Sequence, residues 1–307
     1  MNSDARSAVV LFRDPVRGQS YHAALAGSHS AVASIPVLEH QCLLTARDVE
    51  RMVGQHEGGQ AYAAIVFTSH RAVQALGRAA AEWLGAGDSA ASAGDRSARW
   101  RALIGVPIFA VGRATGDACR SLLPDLQACG PDIRGEACGN AAALLPEITR
   151  FCSVHGSVRP RLAFFCGDQR RDTLPRGIAQ SGCAELCEIA AYTTVGRCQS
   201  NVQSELAAVV DRHSVRRLWL VVFSPSGARV VVPSVQRLVQ LGALSMDAAA
   251  AAGIVCRFAA IGETTAAEIA ALGIDARSVV QAAEPTEHGV SQALCVADAE
   301  AGISNTW

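Results

Sequence analysis

The sequence predicts an α/β protein built from two similar parallel-sheet domains, and three observations favour this fold. Short apolar runs rich in Val, Ile and Phe recur along the chain without strict alternation, as in strands buried on both faces of a parallel sheet. Longer segments with helical spacing separate these runs, which indicates β-α-β units. The runs are too numerous for one small sheet, and a chain of 307 residues has the length of about two domains.

In chain order, the candidate strands lie at residues 8–12, 32–38, 63–67, 106–111, 162–166, 186–192, 218–223, 257–261 and 278–282. Helical spacing of Ala and Leu is evident at 72–84 and 266–272. The stretch at 85–99 is rich in Gly, Ala and Ser, so we expect a flexible surface loop there. The alanine run at 248–252 is expected to be the end of a helix.

Composition excludes several classes of function. The formal net charge is −1, which argues against a protein that binds nucleic acid or a membrane surface through its overall electrostatic field. All 27 basic residues are Arg, so chemistry that depends on a lysine Schiff base or a P-loop lysine is excluded. The chain has 11 Cys without a CxxC pair, and no His lies close enough to Cys183 and Cys187 to complete a zinc site, which indicates a reducing compartment and no metal site. With no leader-like N-terminus and no apolar run of ~18 residues, we expect a cytoplasmic protein.

Three short motifs recur in the same order in the two halves of the chain. They are Val66-Phe67-Thr68 with Val222-Phe223-Ser224, then Gly112 and Thr115 with Gly262 and Thr265, then Glu136 with Glu284. Each of the first two motifs lies where an apolar run ends and a predicted helix begins. Hydroxyl groups and glycine turns are therefore expected at the carboxyl ends of strands. Helix N-termini there suit anions, so the repeat predicts two edges that bind a large ligand with many carboxylates.

Taken singly, each of these residues has an ordinary structural explanation. A hydroxyl residue at the start of a helix is commonly just its N-cap, and a glycine commonly serves a tight turn. The dinucleotide fingerprint GxGxxG does not follow the first apolar run, and the motifs GxxxxGK[ST], HExxH and GxSxG do not occur. We therefore expect no nicotinamide, flavin or other cofactor, and the functional interpretation depends on the repetition of the motifs.

The ordered set of motifs resembles the uroporphyrinogen-III synthase family, in particular its eukaryotic members. It comprises Leu11-Phe12-Arg13-Asp14, Ile65-Val66-Phe67-Thr68-Ser69, Gly135-Glu136, Cys138-Gly139-Asn140-Ala141, Tyr192-Thr193-Thr194-Val195, Phe223-Ser224-Pro225-Ser226-Gly227 and Glu284-Pro285-Thr286. The resemblance implies two doubly wound, flavodoxin-like domains joined by a two-strand hinge, with a substrate cleft between them. The first domain would comprise residues 1–38 and 196–307, and residues 39–195 would form a second domain inserted in the first.

The same resemblance implies a cofactor-free enzyme of heme biosynthesis. Its substrate would be hydroxymethylbilane, a linear tetrapyrrole that carries acetate and propionate groups. The family eliminates the terminal hydroxyl as water, inverts the last pyrrole ring through a spirocyclic intermediate and closes the macrocycle. The enzyme must hold the chain ends so that only the inverting attack is within reach. We expect a monomer with no nucleic-acid or membrane partner, and a transient contact with the preceding pathway enzyme is left open.

The resemblance also implies site residues. Tyr192 matches a family tyrosine and is expected to hydrogen-bond the leaving hydroxyl; its alternative role is packing at the hinge. Substrate carboxylates are expected to bind to hydroxyl groups, arginines, one amide side chain and two glycine N–H groups: Arg13, Ser69, Arg71, Thr115, Asn140, Ser224, Ser226, Gly227, Gly262, Thr264 and Thr265. For Arg13 and Arg71 the alternative is a solvated surface arginine, and Asn140 would alternatively cap its helix.

Two residues depart from the family pattern, because Glu263 and His70 stand where relatives often carry Pro. An acid at position 263 would repel substrate carboxylates unless it points outward, whereas His70 would add positive charge near neutral pH or be incidental. Two other functions also occur on α/β folds. A non-catalytic α/β protein that binds a tetrapyrrole or another anion is the main alternative. A nucleotide-dependent transferase would need a phosphate-binding glycine loop, and the sequence has none.

Overall fold

The computed structural model describes residues 7–59, 61–86, 90–154, 159–213, 215–247 and 254–300. The chain divides into two compact units, one comprising Met1–Glu39 with Val195–Trp307 and the other His40–Thr194. We call these the first and the second unit. The alanine run at 248–252, expected to end a helix, lies outside the described residues.

The described elements alternate along the chain. The strands are β1 (Ser7–Phe12), β2 (Ala31–Ser34), β3 (Leu38–Cys42), β4 (Ala64–Phe67), β5 (Ile108–Ala110), β6 (Ile133–Arg134), β7 (Arg161–Gly167), β8 (Glu185–Gly196), β9 (Arg217–Val222), β10 (Leu244–Ser245), β11 (Ile254–Ala260) and β12 (Val279–Gln281). The helices are α1 (Pro15–Leu25), α2 (Ala46–Glu57), α3 (His70–Gly85), α4 (Ala90–Ile104), α5 (Arg113–Leu122), α6 (Ala141–Ser153), α7 (Thr173–Ser181), α8 (Gln199–His213), α9 (Pro225–Gln240), α10 (Glu263–Ala271) and α11 (Glu287–Glu300).

The first unit contains a parallel sheet with the order β10-β11-β9-β1-β2, and β12 also pairs with β11. Successive residues of β1 point to opposite faces of this sheet. Val10 packs with the core residues of α8, α9 and α10 on one face. Leu11 packs with those of α1 and α11 on the other. Since both faces are covered by helices, the central strands are apolar throughout, as the sequence indicated.

The second unit contains a sheet with the order β3-β8-β7-β4-β5-β6. The pairs β8-β7, β7-β4, β4-β5 and β5-β6 are parallel. Helices α2, α3, α4 and α5 cover one face and include the buried Trp100. Helices α6 and α7 cover the other face, where Phe164 is buried.

The two sheets share one spatial order of strands. In the first unit the order β2-β1-β9-β11-β12 follows the flavodoxin-like pattern 2-1-3-4-5. In the second unit β8-β7-β4-β5-β6 has the same arrangement, although β4, β5 and β6 precede β7 and β8 in the chain. The repeated motifs therefore follow equivalent strands, β4 with β9 and β5 with β11. The prediction of two doubly wound parallel-sheet units is confirmed.

The expectation of a flexible loop at 85–99 is wrong, because helix α4 begins at Ala90. Trp100, later in that helix, is fully buried, and its indole N–H donates to the carbonyl of Pro124 at 2.8 Å. Arg99 forms a bidentate pair with Glu57 of α2, with distances of 2.8 and 2.9 Å. The alanines that suggested low complexity also have high helix propensity, and these long-range contacts stabilise the helix.

Four strands differ from the sequence prediction. The single apolar run at 32–38 holds two elements, β2 and the start of β3, because Pro36 interrupts the strand and lacks an N–H donor. The two-residue strands β6 and β10 are too short to leave a periodic signal.

Within the described ranges, no helix is both long and apolar enough to cross a bilayer.

Candidate active site

The strand order of each unit defines a crevice at the carboxyl edge of its sheet, meaning the edge where the parallel strands end. Such a crevice forms between two neighbouring strands when the helices that come after them in the chain cover opposite faces of the sheet. Open α/β sheets bind ligands in this crevice. In the first unit the crevice lies between β1 and β9, which are followed by Arg13 and Ser224. In the second unit it lies between β7 and β4, which are followed by Asp168 and Ser69.

In the first unit, a capped helix N-terminus borders the crevice. The Ser224 hydroxyl accepts a hydrogen bond from the Gly227 N–H at 3.0 Å and caps α9. The hydroxyl of Ser226, an exposed residue, lies 3.4 Å from that of Ser224. A methyl group added at Gly227 would lie 3.2 Å from the Ser224 hydroxyl, so glycine permits the tight turn. The arrangement presents hydroxyl groups and a positive helix end, which suit an anion.

Arg13, predicted to bind substrate, follows β1, and its guanidinium lies over two aromatic rings. Its guanidinium carbon lies 4.7 Å from the ring centre of Tyr21 and 4.4 Å from that of Phe223. The two rings contact each other edge to face at 5.0 Å. Cation–π contacts of this kind orient an arginine without neutralising it. Because Phe223 directly precedes Ser224, the stack places a positive charge beside the helix cap.

The second unit has the equivalent cap at the start of α3. The Ser69 hydroxyl accepts a hydrogen bond from the Arg71 N–H at 3.2 Å. Arg71, Gln74 and Arg78 follow at spacings of three and four residues, so they share one face of the helix. That face lines a cavity of about 440 Å³.

The described residues that line the cavity supply positive and hydrogen-bonding groups, and none of them is acidic. It is lined by His40, Cys42, Arg71, Gln74, Ala75, Gly77, Arg78, Leu122 and Tyr192. His40 lies edge to face with the Tyr192 ring at 6.0 Å, and its Nδ1 is 2.9 Å from the Thr194 hydroxyl. The cavity volume falls in the range of ~300–1,000 Å³ that is typical of small-molecule pockets. Such a lining favours a ligand that carries carboxylates.

Tyr192 enters this cavity because of a β-bulge. Residues 161–166 of β7 pair in register with residues 185–190 of β8, but Gly167 then pairs with Tyr192. The extra residue, Ala191, is fully buried. A bulge changes the direction of the side chains that follow it. The Tyr192 carbonyl accepts from the Asp168 N–H at 3.0 Å, and the carboxylate of Asp168 accepts from the Thr193 hydroxyl at 2.7 Å.

The glycine turns also occupy equivalent positions. Gly112 precedes α5 and has a φ of 77°, in the left-handed region that favours glycine, whereas Gly262 precedes α10 in an extended conformation. Thr115 and Thr265, three residues further on, are 5% and 1% exposed. Their hydroxyls lie inside the helix–sheet interface. Thr264 is exposed, so it is the hydroxyl that this turn of the first unit presents to solvent.

The third motif occupies equivalent helix starts after β6 and β12. The Asn140 side chain accepts from the Ala143 N–H at 3.0 Å, and the Thr286 hydroxyl accepts from the Gly289 N–H at 3.0 Å. Asn140 therefore caps α6, as its alternative interpretation anticipated. Glu136, earlier in the motif, accepts two hydrogen bonds from Arg120, which lower the pKa of its carboxyl group.

The two departures from the family pattern have different surroundings. Glu263 is exposed at the first residue of α10, where an acidic side chain interacts favourably with the helix dipole. Its equivalent in the second unit is Arg113, also exposed at the first residue of its helix. His70 is half-buried at the start of α3. Among the described residues, no group of His, Cys, Asp and Glu is placed to hold a metal ion.

Within each unit, the structure groups most of the predicted residues along the carboxyl edge. Arg13, Ser224, Ser226, Gly227, Gly262 and Thr264 do so in the first unit, and Ser69, Arg71 and Tyr192 in the second. Sequence analysis missed His40, Gln74 and Arg78. The spacing of Arg71, Gln74 and Arg78 along α3 was the one available signal for the last two.

The fold and these edges define a class: an α/β protein of two units whose sheet edges carry capped helix ends and arginines, groups that suit an anionic ligand. A family model described as Uroporphyrinogen-III synthase HemD matches residues 19–292. The chain therefore belongs to the uroporphyrinogen-III synthase family, a family of hydro-lyases. The resemblance drawn from the motifs is confirmed.

Individual relatives are distant. The chain is 25% identical over 194 residues to uroporphyrinogen-III synthase of Schizosaccharomyces pombe, and the match covers 63% of this chain and 66% of that protein. A solved structure of a mutant uroporphyrinogen III synthase from Thermus thermophilus is 15% identical, covers 96% of this chain and 100% of its own, and has a TM-score of 0.40. A second Thermus thermophilus structure is 16% identical, covers 95% and 99%, and has a TM-score of 0.34.

Proposed function

We propose that this chain converts hydroxymethylbilane to uroporphyrinogen III, with inversion of the terminal pyrrole ring and loss of one water. The observation that carries the proposal is the position of Tyr192. In a chain of this family, its ring lines an acid-free cavity together with Arg71 and Arg78. A phenol beside a site for carboxylates suits a substrate that has both carboxylate groups and a hydroxyl leaving group.

Substrate carboxylates would bind to the groups that each unit presents at its carboxyl edge. In the first unit these are Arg13, the hydroxyls of Ser224 and Ser226, and the N–H groups at the starts of α9 and α10, including Gly227 and Gly262, with Thr264 beside them. In the second unit they are Ser69 and Arg71. Because helix packing holds these donors in place, little reorganisation would be needed when the substrate binds.

Three of the predicted residues would act through the fold. Thr115 and Thr265 are buried, so they would position the glycine turns and their N–H groups. Asn140 would stabilise the start of α6. Each would affect the rate through the geometry of neighbouring groups.

Tyr192 would act on the leaving group. Its O–H would transfer a proton to the substrate hydroxyl as the C–O bond breaks, so that the hydroxyl departs as water. The phenolate would then take up the proton that the attacking pyrrole carbon loses when the ring closes. A phenol is a weak acid, so the main contribution of Tyr192 would be to orient the leaving group. The pyrrole left behind carries transient positive charge, which the cavity would need to tolerate. The remaining task is conformational, because holding the chain ends decides which carbon attacks.

The test is incubation of the purified protein with freshly made hydroxymethylbilane and chromatography of the oxidised porphyrin isomers. A dominant type III product that heat inactivation abolishes is expected. Tyr192→Phe should lower the rate while Tyr62→Phe does not, because the Tyr62 hydroxyl is buried and bonded to Gln55 at 3.3 Å. Type I isomer alone, formed at the rate of buffer, would refute the proposal and favour a non-catalytic tetrapyrrole-binding protein.

The proposal includes a monomer in the cytoplasm. All eleven cysteines are free, which supports a reducing compartment. Light scattering across a range of concentrations tests the oligomeric state, and a mass that doubles with concentration would contradict it. Co-purification with the enzyme that supplies hydroxymethylbilane would test for a transient contact.

A further inference from the structure

The cavity beside Tyr192 contains an arginine that sequence analysis did not assign. Arg78 lines it and is exposed, and among the described residues it has no carboxylate partner. In the second unit, most of the other arginines whose contacts are defined form ion pairs with acidic residues. Examples are Arg120 with Glu136 and Arg99 with Glu57. A cation without an acidic partner in an acid-free cavity is suited to bind an anionic ligand.

The spacing along α3 separates two cationic positions. Arg71 and Arg78 are seven residues apart, which corresponds to ~10.5 Å along the helix axis. Ala75, between them in the helix, also lines the cavity, and its small side chain leaves room for a ligand. Two guanidinium groups at this separation can bind two different carboxylates of one ligand.

The cavity also has an apolar side. Leu122, at the end of α5, lines it and is 40% exposed, which is unusual for a leucine in this chain. Helices α3 and α5 approach closely there, since a side chain at Gly77 would overlap the carbonyl oxygen of Leu122. A cavity lined by an apolar side chain and two arginines suits a flat ring with acidic substituents.

We propose that this cavity is a subsite for one pyrrole ring of the linear tetrapyrrole, in which Arg78 and Arg71 bind its carboxylates and Leu122 contacts the ring. His40 and Gln74 complete the polar lining. The inference rests on the proposed function, because it specifies how the same substrate is held next to Tyr192. Arg78 acts in binding and takes no part in the loss of water, so it affects KM far more than kcat.

The experiment compares Arg78→Gln and Arg78→Lys with the wild type. Loss of one charge-assisted interaction is expected to raise KM for hydroxymethylbilane by about tenfold, with kcat unchanged within about twofold. Arg78→Lys should recover part of the loss, since it keeps the charge and loses the bidentate geometry. The control is Arg176→Gln, an exposed arginine of α7 on the opposite face of the same sheet.

A binding measurement separates this inference from the proposed function. Quenching of protein fluorescence by uroporphyrin III reports binding without turnover, and Arg78→Gln should weaken it by about tenfold. If the wild type produces the type III isomer but Arg78→Gln has an unchanged KM and binds uroporphyrin III equally well, the subsite is wrong and the proposed function stands. If the wild type makes no type III isomer, the proposed function fails, and equal binding by the variant would reject the subsite as well.

Discussion

The phenol ring of Tyr192 packs directly across the backbone of Gly167. A methyl group added to the glycine would lie 3.0 Å from the ring carbon Cζ and 3.2 Å from the hydroxyl oxygen. Both residues belong to the bulged end of the β7–β8 pair. The absence of a side chain at position 167 thus determines where the tyrosine hydroxyl lies.

Gly167→Ala should therefore displace the Tyr192 hydroxyl and lower kcat. A misplacement of about 1 Å can reduce a rate by up to about 100-fold, and we expect a loss of at least tenfold. The rate of type III isomer formation measures it, and the far-UV spectrum controls for folding. Gly94→Ala, in open space on α4, is the matched control. The ring needs to shift by only a few tenths of an ångström, so the loss is expected to lie at the smaller end of this range. Full activity in Gly167→Ala would show that a displacement of this size is unimportant.

Two glycines of the second unit should respond to alanine in opposite directions. A side chain at Gly77 would overlap the backbone of Leu122, so Gly77→Ala should lower the free energy of unfolding by about 1–3 kcal/mol. Gly54 lies within α2 with nothing near its missing side chain, so Gly54→Ala should raise it by about 0.5–1 kcal/mol. Urea titration of both variants measures the difference, and equal midpoints would contradict the packing of α3 on α5.

Asp298 should be a major contributor to the stability of the first unit. It is 3% exposed, accepts a hydrogen bond from the Trp219 indole at 3.1 Å and lies 3.5 Å from His29. Asp298→Ala would leave the indole N–H buried without an acceptor, and we expect a loss of about 3 kcal/mol. Thermal unfolding measures it, with Glu300→Ala, an exposed acid of the same helix, as control. A loss of stability no larger than that of Glu300→Ala would contradict the proposed contribution of Asp298.

Cysteine reactivity should follow burial. Hydrogen bonds from Ser200 lower the pKa of the exposed Cys198 thiol. Burial raises the pKa of Cys119 and of Cys256 to about 12. Iodoacetamide should therefore alkylate Cys198 first at pH 8, since the thiolate is the reactive form. Peptide mapping follows the order, and in urea all sites should react. Labelling of Cys256 as fast as Cys198 in the folded protein would be inconsistent with the fold.

The ion pair of Glu136 with Arg120 should make a small contribution to stability that depends on pH. Hydrogen bonds from Arg120, at 2.9 and 2.6 Å, hold the pKa of Glu136 below its ordinary value of 4.5. A depressed folded-state pKa gives stability that is present above the unfolded value and is lost as the pH falls below it. Since the pair is partly exposed, its contribution is at most about 1 kcal/mol. Glu136→Gln should flatten the stability profile below pH 4.5, as measured by urea titration at several pH values.

Much of this fold could be predicted from local patterns. The capping of α3 by Ser69 and of α9 by Ser224 involves residues two or three positions apart, so a short motif contains all the information. The buried strands are recognisable because helices on both faces of a parallel sheet make their residues uniformly apolar. The prediction of a loop at 85–99 is wrong for the opposite reason, because the contacts that stabilise the helix there are not local in sequence. Helix α4 is held by Trp100 and Arg99, whose partners Pro124 and Glu57 are distant in sequence.

The sequence by itself determined the α/β class, the repeated helix starts and the family, because these follow from periodicity, composition and contiguous motifs. Only the tertiary structure decided which residues share a site. The stacking of Arg13 on Phe223, the bulge that directs Tyr192 and the cavity lined by both Arg78 and Leu122 bring together residues from separate elements. Such contacts depend on the register of strands and the packing of helices. These are set by the burial of many side chains together, which no short segment of sequence encodes.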